Sequence, residues 1–319
     1  ATAAPFATSA AAAPAEKPRR VIKSGMRLGK GGKTSAMMRA LAAEDGISVA
    51  ADGEGAAAAA GGASAAAAAT AASAPVVAEG VVLRLEEKFS AQCLRDGGLE
   101  SMDVKGTLSL LVNDPERARV VVRVVQGANP GFQFQSHPHI DKKRFAASSE
   151  LALRDPSKSF PAGTALSILR WRFSRQDDSL LPLTINCWPE ETRAGVMNVN
   201  IEYSLEREEM ELHDVVVAIP LGTASEPQVG HADGTYKHNA KAQMLEWRID
   251  SIDSSNSTGT LEFSIAQKSD DAFFPVEVSF HSMSTLCDVQ VGDVVSADGG
   301  EHVRHSTASE LTVDTFTVG

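Results

Sequence analysis

The sequence has little to staple it together and no segment of the length that spans a membrane. Its three cysteines, Cys93, Cys187 and Cys287, are odd in number and far apart. That spacing excludes a disulfide framework and a paired-thiolate metal motif, and it favours a reducing compartment. No apolar run approaches the ~20 residues needed to cross a bilayer, and no stretch resembles a signal peptide. A Gly-x-Ser-x-Gly elbow is missing and no cysteine has a motif partner, so no nucleophile announces itself. Between residues 17 and 39 acids are missing altogether, while eight Lys or Arg are present. The chain begins at Ala1 rather than Met, as expected of a fragment of a longer protein.

What is present first is low complexity. Residues 55–78, GAAAAAGGASAAAAATAASAPVVA, are nearly pure Ala, Gly and Ser. Interleaved glycine and the lack of larger apolar side chains leave no face worth burying, so residues 1–78 are expected to be a tether, mostly disordered. Within it, Ala36, Met37, Ala40 and Leu41 share one helical face, which predicts a short amphipathic helix near 34–44. Such a helix fits a membrane surface, a docking partner or a plain linker equally.

The stretch GMRLGKGGKTSAMM, residues 25–38, raises the question of a nucleotide loop. A phosphate-cradling loop requires a glycine five positions before Gly32-Lys33-Thr34, and that position is Arg27. Nor does a buried apolar strand precede it. The segment reads as a basic linker instead.

From residue 79 the remainder carries 22 basic and 36 acidic residues. An acidic body on a basic tether argues against broad nucleic-acid binding and points to anionic contact through the tether. Here the pattern turns to period two. VVLRLEEKF places Val81, Leu83, Leu85 and Phe89 on one face; GTLSLLV places Leu108, Leu110 and Val112; RVVVRVVQ places Val120, Val122 and Val124. Similar runs continue to ELTVDTFTV, punctuated by clusters such as Arg95-Asp96-Gly97-Gly98 and Ala232-Asp233-Gly234. Many short strands without an intervening helical pattern predict an all-β fold, and roughly 240 residues exceed one ordinary sandwich of about 100. Two β subdomains sharing strands in an elongated body are expected.

Sites for chemistry are sparse. His137-Pro138-His139 and His302-Val303-Arg304-His305 each offer two imidazoles, but no third ligand stands at a recognisable spacing, so both read as surface turns. Acids alternate along strands, as Glu202 does in VNIEYSLE, which is what a solvated sheet face requires. The balance favours a binding module with no catalytic residues, metal or cofactor.

The block LPLTINCWPEE (181–191), followed by VNIEYSLE, LHDVVVAIPL, GTYKHNAKAQMLEWRI, STGTLEFSI and FFPVEVSF, resembles the delta-subunit family of coatomer, the COPI vesicle coat. The resemblance covers residues 79–319, the μ-homology domain of that family, and KSGMRLGK resembles the stretch that precedes it. It implies an immunoglobulin-like β structure with one subdomain inserted into the other, related to the medium chains of clathrin adaptors. It also implies a non-enzymatic coat component of Golgi-to-ER retrograde and intra-Golgi transport. Such a subunit is cytoplasmic, is peripheral on Golgi membranes and COPI vesicles, and assembles with the beta and zeta subunits and an Arf GTPase. The family's μ-homology domain captures short, acid-flanked Trp peptides of an ER tether and of an Arf GTPase-activating protein.

At such sites a buried Trp supplies most of the affinity and surrounding cations steer the acidic flanks. The most basic turn-rich stretch of the body, GTYKHNAKAQMLEWR, nominates Tyr236, Lys237, His238, Lys241 and Arg248 as peptide-facing. Trp247 alternates with Leu245 and Ile249 and reads as core, and Trp171 and Trp188 read as packing residues too. The alternative is a clathrin-adaptor-type medium chain that adds a tyrosine sorting peptide to a sheet edge.

Overall fold

A computed structural model of the chain describes residues 80–319 apart from 96 and 194. The expected tether, its helix near 34–44 and the GKGGKT segment lie outside the described residues.

The alternating runs form strands in the expected order. They are β1 (Val81–Cys93), β2 (Leu99–Val112), β3 (Val120–Gln126), β4 (Gln133–Ser136), β5 (Glu150–Leu151), β6 (Leu166–Ser174), β7 (Leu183–Arg193) and β8 (Val196–Leu205). The series continues with β9 (Leu212–Pro220), β10 (Gln228–Ala232), β11 (Thr235–Asn239), β12 (Met244–Ile252), β13 (Thr258–Ile265), β14 (Val276–Ser282), β15 (Val289–Ser296) and β16 (His305–Val318). A nine-stranded sheet runs β11-β12-β9-β14-β16-β1-β2-β6-β4; a second runs β10-β13-β8-β7 and a third β15-β3-β5.

One element departs from the expected pattern. Helix α1 (Lys142–Ser148) interrupts the strands, started by Asp141, whose carboxylate accepts from the N–H groups of Lys143 and Arg144. The N-cap signal was in the sequence, but seven residues are too few for an apolar period to show.

Long strands serve two cores. The first half of β1 (Val81, Leu83, Leu85) packs with Leu108 and Leu110 of β2, with β3, and with Ile168 and Trp171 of β6. Its second half (Phe89, Ala91) packs with β7–β9, β12–β14 and the end of β16. Strands β7–β14 fall between β6 and β15 in sequence, so one sandwich is inserted into the chain of the other.

Where the cores meet, the inward face of β1 carries a carboxylate. Glu87 is 1% exposed, and three N–H groups converge on it: Trp171 Nε1 at 2.6 Å, Leu286 N at 2.6 Å and Cys287 N at 3.1 Å. Burial raises its pKa above the ordinary carboxylate value, while these donors pull the other way. The indole reaches Glu87 by crossing Gly106 on the intervening strand, where an added Cβ would lie 2.0 Å from the ring. Gly106 therefore leaves room that no other residue can. Leu286 and Cys287 belong to the connection from β14 to β15, so a single side chain ties both cores to the crossover between them.

Candidate peptide-binding surface

The five residues nominated from sequence fall on one hairpin. β11 is an edge of the nine-stranded sheet and pairs with β12 in the register Thr235–Arg248, Tyr236–Trp247, Lys237–Glu246, His238–Leu245. Cross-strand partners share a face. Tyr236 and His238 therefore stand on the face of Trp247 and Leu245, Lys237 and Arg248 on the opposite face, and Lys241 in the turn. The structure brings the five together in the chain but does not converge them on one face.

The hairpin is firmly held. Trp247 is fully buried, as its alternation predicted, and its Nε1 donates to the Asp233 carbonyl at 2.6 Å. Asp233 Oδ2 accepts from Thr260 N at 2.8 Å, and this bond is the chief reason its carboxyl sits below the usual range. Gly234, at φ +94°, lets the chain pass from β10 into β11; a Cβ there would fall 2.6 Å from the Arg248 carbonyl oxygen.

Several features suit an added strand. β11 offers its outer backbone edge. Tyr236 is 50% exposed, and the buried Nε2 of His238 has no hydrogen-bond partner among the described residues. Arg248 is less available, because its guanidinium closes on Glu246 at 2.5 Å. Lys237 and Lys241 are exposed cations of the hairpin with no ion pair among the described residues, while Arg248, exposed too, is held by Glu246.

A second surface was invisible in the sequence. Register aligns Thr312, Lys88, Lys105, Arg172 and Gln133 in one row across β16, β1, β2, β6 and β4. Its three cations are exposed. Asp103 lies between two of them, 2.9 Å from Lys105 Nζ and 2.9 Å from Arg172 Nε. Partial burial would raise its pKa, but the hydrogen bonds of Lys105 and Arg172 outweigh burial and hold it low. Arg172 and Arg175 also line a small cleft of about 230 Å³ beside β4. These residues are far apart in the chain, and only strand order unites them.

Trp188 corrects the expectation that it packs internally: it is 51% exposed. Leu183, Ile185 and Cys187 of β7 face the core, so alternation places Trp188 outward, on the row of Asn200. That signal was readable, since the neighbouring Cys187 had the stronger claim to the interior. Trp171, by contrast, is core as expected.

A wider groove of about 680 Å³ lies beside the Glu87-bound connection, lined by Phe132, Arg207, Met283, Leu286 and Asp288 among others. Its charges are mixed, and Arg207 is engaged by Glu209 at 2.6 Å. The thiols offer no nucleophile. All three cysteines are free, burial pushes Cys93 up to about 11 and Cys187 up to about 12, and it raises Cys287 as well, so thiolate is scarce near neutral pH. Among the described residues no helix is long and apolar enough to cross a membrane.

Residues 71–315 match the model of the adaptor complexes medium subunit family. The chain belongs to this family. Its members are structural coat components rather than enzymes. Over 243 residues the chain is 39% identical to a Caenorhabditis elegans protein described as probable coatomer subunit delta, covering 76% of this chain and 47% of that one. The chain thus spans about half the length of this curated relative. The solved yeast delta-COP-I μ-homology domain is 28% identical, with a TM-score of 0.67 over 75% of this chain and 98% of that one. The same yeast domain complexed with a Dsl1 WxWxV peptide gives 28% identity and a TM-score of 0.66, at the same coverage. The inserted pair of sandwiches is therefore the μ-homology fold that the sequence blocks implied, within the adaptor medium subunit family.

Proposed function

We propose that this chain is the tether and μ-homology domain of a delta-type coatomer subunit, and that the domain captures short acidic peptides bearing tryptophan. The observation that carries the reading is its likeness to the yeast delta-COP-I domain solved with a WxWxV peptide. On this reading residues 1–78 tether the folded body at 79–319. The protein works on the cytoplasmic side of Golgi membranes and COPI vesicles in Golgi-to-ER and intra-Golgi transport. It assembles with the beta and zeta subunits and an Arf GTPase, and its peptides come from an ER tether and an Arf GTPase-activating protein.

The peptide lies along the free edge of β11, with Tyr236 and His238 toward its apolar side chains and Lys237, Lys241 and Arg248 toward its acids. Exposed cations steer acidic flanks in water, whereas a Trp withdrawn from water supplies most of the affinity.

Calorimetric titration of the full chain tests this with three peptides: one acidic with two tryptophans a single residue apart, its Trp→Ala control, and a tyrosine sorting peptide. Micromolar affinity, about −8 kcal/mol, for the first alone is expected. Binding of the tyrosine peptide in its place would replace this reading with an adaptor-type medium chain.

A further inference from the structure

The β15–β16 hairpin gathers three metal-ligating side chains that sequence spacing kept apart. Ser296 N donates to Glu301 O at 2.8 Å and Val303 N to Val294 O at 2.8 Å, folding the connection back on itself. His302 is thereby set opposite Val295, diagonal to Asp293 on the same face. Three residues after His302, His305 stands at the start of β16. One ligand atom from each of Asp293, His302 and His305 lies within 4.8 Å of the others.

We propose that Asp293, His302 and His305 form a binding site for a zinc-class divalent cation. The donor set is two imidazoles and a carboxylate, borderline ligands that suit Zn²⁺ and its late first-row neighbours better than Mg²⁺ or Ca²⁺. His302 Nδ1 lies 2.6 Å from Asp293 Oδ1, so the two already share a proton that the metal replaces. His305 Nδ1 lies 3.0 Å from the Val303 carbonyl oxygen. A carbonyl only accepts, so Nδ1 carries the hydrogen and Nε2 keeps its lone pair free, the orientation that metal-binding imidazoles usually receive from a backbone partner.

Metal bonds of about 2.0–2.1 Å hold tetrahedral donors roughly 3.3 Å apart. The His302–Asp293 gap widens slightly and His305 closes in, movements of about an ångström for side chains that are exposed or partly buried. Water takes the fourth position. Arg123 Nη1 stands 3.8 Å from Asp293 Oδ2 but is engaged more closely by Glu150 at 3.1 Å, so the second carboxylate oxygen is only weakly held. The bound ion would staple β15 to the start of β16. That point faces Val81, where β1 begins.

Zinc titration of the chelator-treated full chain by calorimetry, with thermal melts, tests this. One site is expected, along with a higher melting temperature in zinc. His305→Ala leaves the His302–Asp293 pair intact and should weaken binding at least tenfold, as should Asp293→Asn. A double His213→Ala, His281→Ala variant, which removes another imidazole pair with ring centroids 5.3 Å apart, should bind normally. If His305→Ala does not fold, His302→Ala at the exposed ligand gives the same readout. Absence of binding, or binding that survives the first two substitutions or is lost in the His213/His281 variant, would overturn the site.

Discussion

Two neighbouring rows cross the same five strands and have opposite characters. Leu311, Glu87, Gly106, Trp171 and Phe134 form the inward row. One residue further along β1, Thr312, Lys88, Lys105, Arg172 and Gln133 form the outward one. The first encloses one carboxylate and satisfies it with three N–H groups; the second spreads cations in water on a body where acids outnumber bases. Because side chains alternate, architecture and surface charge are written in adjacent letters. Substitutions in the inward row should therefore change stability, and those in the outward row only encounters with partners.

The largest expected effect would break the inward row. Glu87→Ala strands three buried donors and opens a cavity, so chemical denaturation should show a loss of about 3–5 kcal/mol. Gly106→Ala drives a methyl into the Trp171 ring and should cost about 1–3 kcal/mol. A stable Glu87→Ala variant would mean that the connection through Leu286 and Cys287 holds without its carboxylate.

Reversing the hairpin cations, Lys237→Glu with Lys241→Glu, should weaken an acidic Trp peptide about tenfold, or roughly 1.4 kcal/mol, and flatten its salt dependence. Calorimetry at two ionic strengths reads both, with the melting temperature unchanged. Lys88→Glu with Lys105→Glu sharpens the contrast. Stability should shift by less than about 0.5 kcal/mol, and peptide affinity should hold. If affinity falls there and not in the hairpin variant, the acidic flanks lie on the outward row.

The smallest effect concerns Glu150. Arg144, hydrogen-bonded at 2.7 Å, is the main cause of its depressed pKa; partial burial opposes this and Arg123 reinforces it. Since the folded value lies below the ordinary 4.5, the contribution is present above that pH and is lost as pH falls through the folded value. Glu150→Gln should cost less than about 1 kcal/mol at pH 7, because both arginine partners stay open to water and screening weakens the pairs. The gap from the parent should narrow as pH is taken below 4.5, in denaturation measured at pH 7 and at a series of lower pH values.

Much of this architecture was legible in the chain. Strict alternation at Val81, Leu83, Leu85 and Phe89 gave the strand and its buried face, and it also skipped position 87. That gap marked the buried carboxylate, although its donors, which lie up to 200 residues away, could come only from the fold. Alternation likewise separates Lys237 and Arg248 from Tyr236 and His238, and puts Trp188 outside. What periodicity could not supply was strand order. The outward cation row and the meeting of Asp293 with two histidines depend on which strands become neighbours, and that is decided by long-range packing.

The parallel pairing of β1 with β16 has a mechanical consequence. Val81 faces His305 and Cys93 faces Val318, so the points where the chain joins the first strand and leaves the last lie at opposite ends of the pair, about 40 Å apart at ~3.3 Å per residue. Tension applied between residues 80 and 319 drags these strands past each other along their length. Every ladder bond is then loaded together in shear, rather than peeled one at a time. A force probe anchored at those two points should record one abrupt rupture, while a pull across the strands should unzip them gradually. A domain tethered at one end and held at the other would keep its shape under load for this reason.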